Sequence, residues 1–144
     1  MKRGAALALA LGLAGCGGSS LSTSQLRARA TRICDVAQRR ADRIPTPTMP
    51  SGGPSYLRLG IGVLAPEVRQ LRALPAPDDL AGEYRGALDA VRDETSALRA
   101  SLKRLRAGDD PVLAIKMLQQ KLAPLEQSAD LAWAKLAIPS CMDR

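Results

Sequence analysis

The sequence predicts an all-α protein, an up-down-up-down four-helix bundle, on three observations. Apolar residues recur three and four positions apart through four long segments. No stretch alternates apolar and polar residues with the period of a half-buried strand. Proline and glycine mark the breaks between segments, and two of the three breaks are very short, as antiparallel helical neighbours require. Composition agrees: among 144 residues there is no Phe, one Trp and two Tyr. The core must come from Leu, Ala, Val and Ile, and an Ala-rich, aromatic-poor core favours closely approaching helices over strands.

The first helix is predicted over residues 22–44. Ser22-Thr23-Ser24-Gln25 reads as a capping box. Leu26, Ala30, Ile33, Ala37 and Ile44 follow at helical spacing, and Pro45 stops the run. Four prolines and two glycines between Pro45 and Pro54 then make an extended, exposed connection. The second helix is predicted over residues 55–74, on Leu57, Ile61, Leu64, Val68 and Leu71. Gly60 and Gly62 weaken it, Pro66 interrupts its hydrogen bonding, and Pro75-Ala76-Pro77 turns the chain.

Pro77 suits a first helical position, and Asp78 and Asp79 suit the positive end of a helix dipole, so the third helix is predicted over residues 77–107. Its stripe of Leu80, Tyr84, Ala87, Val91, Thr95, Leu98, Leu102 and Leu105 is the cleanest in the chain, and Gly108 is the expected C-cap. The fourth is predicted over residues 111–138, with Asp110 as cap, Pro111 at the start and Pro139 as stop. It carries a second interior proline, Pro124.

The amino terminus has a different character. Lys2 and Arg3 precede an uncharged Leu/Ala-rich run over residues 4–14. That run is about half of the roughly 20 residues a helix needs to cross a bilayer. It ends in Leu13-Ala14-Gly15-Cys16, which resembles the bacterial lipobox at all four positions. The resemblance implies that residues 1–15 are a lipoprotein signal peptide cleaved after Gly15. Cys16 would become a thioether-linked, acylated first residue. Two or more acyl chains hold a protein on a membrane without a spanning helix. The residue after Cys16 is Gly17 rather than Asp, so the inner-membrane retention signal of that family is absent. Residues 16–21 would form a Gly/Ser tether and residues 22–144 the bundle domain.

Lipidation of Cys16 leaves Cys34 and Cys141. Export to a disulfide-permissive compartment predicts that these two pair. The bridge would close a loop of about 107 residues, about 4–5 kcal/mol in the chain-entropy model. In an up-down-up-down bundle the end of the fourth helix lies near the start of the first, yet Cys34 sits three turns in. Either the first turns project as a stalk toward the membrane, or the chain after Pro139 folds back. The mature part is similar to small, uncharacterised helical lipoproteins of high-GC bacteria. The likeness lies in Ile33-Cys34, the Leu74-Pro75-Ala76-Pro77 corner, the Gly108-Asp109 turn and a Cys just after the last helix. It implies a helical fold and brings no activity with it.

The residue inventory opposes catalysis. There is no His, so Ser-His-Asp and Cys-His arrangements, Glu-x-x-His di-iron sites and His-ligated haem have no ligands or bases. Asp78/Asp79 and Asp109/Asp110 sit at helix starts, where capping explains them. Asp93 and Glu94 read as solvated charges on the outer face of the third helix. No cofactor and no metal site is expected. Nucleic acid is not an expected partner, because export and the lack of aromatic stacking platforms both oppose it.

Two features bear on binding. The chain is basic, with 21 Lys and Arg against 14 Asp and Glu; loss of Lys2 and Arg3 leaves a net +5. Most of that excess lies on the first helix, in Arg27, Arg29, Arg32, Arg39, Arg40 and Arg43. This is a candidate surface for anionic lipid or an acidic envelope polymer, or a solvated face in an Arg-rich sequence. Second, Pro66 and Pro124 fall near the middle of two helices that run the same way. Kinks at one level either curve the helices around the core or open an apolar cavity, whose rim would include Trp133, Tyr84 or Met117. The sequence thus points to a non-enzymatic, lipid-anchored envelope module acting by binding or spacing. The alternative is a carrier of a lipid or other small apolar ligand inside the bundle.

Overall fold

The computed structural model describes residues 20–142. The expected signal segment, Cys16 and most of the expected tether lie outside the described residues. Four helices form a bundle: α1 (Thr23–Ala41), α2 (Gly53–Arg72), α3 (Ala81–Arg106) and α4 (Pro111–Lys135). No strand occurs among the described residues. The α3 helix packs between α2 and α4, while α1 packs on α2 and on the turn that follows α4.

Two separate core clusters show the up-down-up-down order. The first joins the beginning of α1 (Leu26, Ala30, Cys34), the end of α2 (Val68, Leu71), the beginning of α3 (Tyr84 to Val91) and the end of α4 (Ala129, Trp133). The second joins the beginning of α2 (Leu57), the end of α3 (Ala97, Leu102, Leu105) and the beginning of α4 (Ala114, Leu118). The α1 helix contributes no residue to the second cluster. It has 19 residues against 26 in α3, which makes it about 10 Å shorter at 1.5 Å per residue.

Local chemistry fixes the helix ends. Ser22 and Gln25 exchange the two bonds of a capping box at the start of α1, the hydroxyl accepting from the Gln25 amide at 3.2 Å. The Asp110 carboxylate accepts from the Leu113 amide at 2.8 Å, and Pro111 stands where no intrahelical donor is needed. After α3 the chain closes a Schellman motif. Gly108 adopts φ +95°, its amide donates to Leu105, and the Asp109 amide donates to Arg104.

The α2 helix spans Gly53–Arg72 rather than residues 55–74, and with the 3-10 turn Pro50–Gly52 it takes in the end of the connection expected to be extended, since Pro54 sits in the first helical turn where its missing donor costs nothing. Three further boundaries shift. First, α1 ends at Ala41 rather than at residue 44, with Ala41, Asp42 and Arg43 exposed beyond the last buried position. Second, Pro77 does not open α3. It is extended, residues Asp78–Leu80 form a 3-10 turn, and the α-helix begins at Ala81. Third, α4 stops before Pro139 is reached. Ala137 takes φ +55° in a second Schellman motif, the Ile138 amide donates to Trp133 at 3.1 Å, and Ile138 is fully buried.

Cys34 and Cys141 form the predicted disulfide, with Cα atoms 5.1 Å apart. The two geometries left open by the sequence are resolved in favour of a folded-back tail. Pro139–Cys141 form a 3-10 turn that packs on α1. The first turns of α1 are not a stalk: Leu26 and Ala30 are fully buried. Leu21, placed by sequence in the tether, is buried too, and its amide donates to Pro75 at 2.9 Å. The Leu74–Pro77 corner therefore holds the entry to α1.

Candidate functional site

Between the two core clusters lies a cavity of about 260 Å³. It occupies the space where α1 runs out. The end of α1 supplies Cys34, Ala37, Gln38 and Ala41, and Ile44 follows in the connection. The α2 helix crosses the cavity with Leu57, Gly60, Val63, Leu64 and Glu67. Opposite stand Glu94 and Leu98 of α3 and Leu122 and Glu126 of α4. Ser140 and Cys34 place the disulfide-linked turn at one wall. Gln38, Ala41, Tyr56 and Glu126 are the exposed lining residues and mark the mouth.

The two interior prolines flank this space. Pro66 immediately precedes Glu67, and Pro124 lies between Leu122 and Glu126. Each removes a backbone donor from its helix at the level of the cavity. Gly60 adds room: a Cβ built there meets no atom within 4 Å. An apolar cavity at the level of the two prolines is what the sequence raised as one of two outcomes.

Its lining differs from the expected rim. Trp133 and Tyr84 are core residues of the first cluster, their rings edge to face at 6.0 Å. The Tyr84 hydroxyl donates to the Leu71 carbonyl at 2.7 Å, and burial pushes its phenol well above the ordinary range. Met117 lies at the surface, 3.7 Å from the Arg104 guanidinium. None of the three lines the cavity.

Charge also falls differently. Glu94 does not lie on the outer face of α3; only 5 % of it is exposed, and Glu67 is 3 % exposed. Asp93 does face outward, paired with Arg92 at 3.1 Å. Glu94 sits three residues after Val91 and four before Leu98, and Glu67 sits three after Leu64 and four before Leu71. Both therefore occupy the apolar stripe. A charged residue interrupting such a stripe was the available signal.

On α1, Arg29, Arg32, Arg39 and Arg40 are exposed, and Arg43 is exposed in the connection just beyond its end. Arg27 is half-buried and donates to the Leu136 carbonyl at 2.8 Å, so it caps the end of α4. Its role is structural, and the basic surface is smaller by one charge. Asp110 caps α4, and Asp109 holds Arg104 at 2.7 Å. Among the described residues, no group of three or more His, Cys, Asp or Glu side chains could hold a metal ion. No described helix is long and apolar enough to cross a membrane.

No family model, curated protein or solved structure matches this chain.

Proposed function

We propose that this protein is a non-enzymatic, lipid-anchored module of the cell envelope that binds a small, mostly apolar ligand in the cavity between its two core clusters. The observation that carries this reading is the cavity, with its mouth at Tyr56, Gln38 and Glu126 and its interior of Leu57, Val63, Leu64, Leu98 and Leu122. At about 260 Å³ it lies just below the roughly 300–1,000 Å³ of most ligand pockets. That size suits a short chain or a single ring and is too small for a whole two-chain lipid. The absence of His from the sequence and the apolar lining favour holding a ligand over transforming one.

A ligand selective for the folded state stabilises it, by about 2.7 kcal/mol at a hundredfold excess over Kd, and so raises the unfolding midpoint. Short-chain alcohols and single-ring compounds are expected to do so with the wild-type chain. Leu122→Trp, which fills the space, is expected to abolish the effect. No stabilisation by any member of such a panel overturns the reading. Anchoring has its own test. Mass spectrometry of native material is expected to show an acylated Cys16 as the first residue, and an unmodified thiol there contradicts it.

The exposed arginines of α1 support a second contact. Arg29 and Arg32 lie in the first three turns of α1, closest to the expected tether, where an anionic headgroup layer offers up to about 1 kcal/mol per charge. Replacing Arg29, Arg32, Arg39, Arg40 and Arg43 by Glu is expected to weaken association with anionic vesicles and leave ligand binding intact. Unchanged vesicle association removes this contact from the proposal.

A further inference from the structure

We infer that the outer face of α4 lies on the surface of an anionic lipid bilayer, with Leu113, Met117 and Leu131 entering the headgroup layer and Lys116, Lys121 and Lys135 meeting lipid phosphates. This rests on the anchoring part of the proposed function and adds the face that meets the membrane. The α3 and α4 helices are nearly equal in length, 26 and 25 residues, and their outer faces differ in kind. The outer face of α3 carries both signs of charge, and Arg92 bridges Asp89 at 2.9 Å and Asp93 at 3.1 Å. No large apolar side chain of α3 is exposed, whereas α4 exposes Val112, Leu113, Met117 and Leu131.

Leu113, Met117 and Leu131 share one side of α4. Met117 is one turn on from Leu113, and Leu131 lies about five turns beyond Leu113, so the three align. Pro124, also exposed, falls between them, and Lys116, Lys121 and Lys135 are exposed around them. The acids of α4, Glu126 and Asp130, stand about 100–140° round the helix from Leu113. This face is therefore apolar and cationic with no negative group, the composition of a helix that lies in a membrane interface. It does not span one: no described helix is long and apolar enough.

Position and charge choose lipid as the occupant. Leu21, where the expected tether joins the bundle, belongs to the same cluster as Leu136 and Ile138 at the end of α4. Residues 16–20 reach at most about 17 Å, so an anchored Cys16 holds that end of α4 close to the bilayer. Pairing this face with a second copy of itself would set lysines against lysines. The apolar side chains are also strung along about 27 Å of helix, rather than gathered into the central cluster of a protein interface.

The test uses the full acylated chain in nanodiscs doped with a lipid that carries a nitroxide on its headgroup. With phosphatidylglycerol present, the methyl signals of Leu113, Met117 and Leu131 are expected to be lost, while Val36 on α1 and Leu59 on α2, also exposed, keep theirs. In phosphatidylcholine alone the loss is expected to be partial, because the lysines then meet no net negative surface. Leu113→Glu with Met117→Glu is expected to restore the Leu131 signal, and native positions of the Leu57 and Val91 methyls show that this variant remains folded. Loss centred on Val36 or Leu59, loss equal in both lipids, or a double variant in which Leu131 stays silent overturns the inference. Shifts of the α4 methyls with protein concentration, in nanodiscs without nitroxide, mark a second copy on this face and overturn it too. The mass of the same sample reads acylation of Cys16 separately, so failure of the anchoring reading is distinguished from failure of this one.

Discussion

The half of the bundle around Trp133 draws on all four helices, whereas the half around Leu118 draws on three. In the first half, Trp133, Leu26, Leu71, Leu136, Ile138 and Val91 are essentially inaccessible, and the disulfide fastens the returning tail to α1. In the second half α1 has ended, and the proline-rich connection over residues 42–52 takes its place. Its core is six buried residues, and Val112, Leu113 and Met117 of α4 are exposed beside it. The cavity lies at the boundary. A bundle that is one helix short over part of its length leaves volume that Leu and Ala side chains do not fill. The prolines of α2 and α4 sit at the level where that volume opens. One half is built for stability and the other retains space.

The largest test of this contrast is truncation of the two anchors. Trp133→Ala is expected to destabilise the fold by about 3–5 kcal/mol in chemical denaturation, because it empties a site with no exposed surface. Leu118→Ala, in the three-helix half, is expected to cost about 2 kcal/mol, since its neighbours Leu122 and Leu125 are only partly buried and can adjust. Equal losses would remove the distinction between the halves.

Next comes the staple. Cys34→Ser with Cys141→Ser is expected to lower stability by about 2–4 kcal/mol. Beyond the increase shared by all amides that exchange through global unfolding, the loss should appear as faster exchange at Ser140, Cys141 and the adjoining part of α1. Exchange that rises uniformly would show that the bridge acts on the whole chain.

A smaller effect is expected from alkaline pH. The Tyr84 phenol is raised by burial, so the folded state holds its proton longer than the unfolded chain. Its contribution is complete below the ordinary phenol value of about 10 and is lost as pH rises from there. Alkaline unfolding should therefore be milder in Tyr84→Phe than in wild type. At neutral pH that variant should cost about 1 kcal/mol for the bond to Leu71. An unchanged alkaline profile would place the pH-sensitive step elsewhere.

The smallest effects are gains. Ala137 is the one non-glycine residue with positive φ among the described residues. Ala137→Gly is expected to stabilise by about 0.5 kcal/mol, the relief of strain exceeding the added chain entropy. Gly62→Ala is expected to gain about 0.5–1 kcal/mol with ligand binding unchanged, because Gly62 does not line the cavity. Gly60→Leu should block binding instead.

The helices and their order were legible because Leu and Ala at 3.6-residue spacing admit few other arrangements. The Cys34–Cys141 pairing followed from counting thiols. The level of the cavity followed from Pro66 and Pro124. Its lining did not, because the face of a helix that meets a cavity is set by where a neighbouring helix ends. Ala41, Asp42 and Arg43 continue with helix-compatible side chains, and only packing shows α1 stopping there. Glu94 reads as a surface charge beside Asp93 where charge is weighed above register, although its spacing from Val91 and Leu98 places it inside. Arg27 likewise gave no sign in sequence that it caps a helix more than a hundred residues away.

The most direct measurement is methyl NMR of the full chain titrated with n-hexanol. Saturable shifts are expected at Leu57, Val63, Leu64, Leu98 and Leu122, with Leu26, Leu71, Val91 and Leu136 unmoved. Shifts centred on the Trp133 cluster, or none that saturate, would contradict a ligand-holding space at the three-helix boundary.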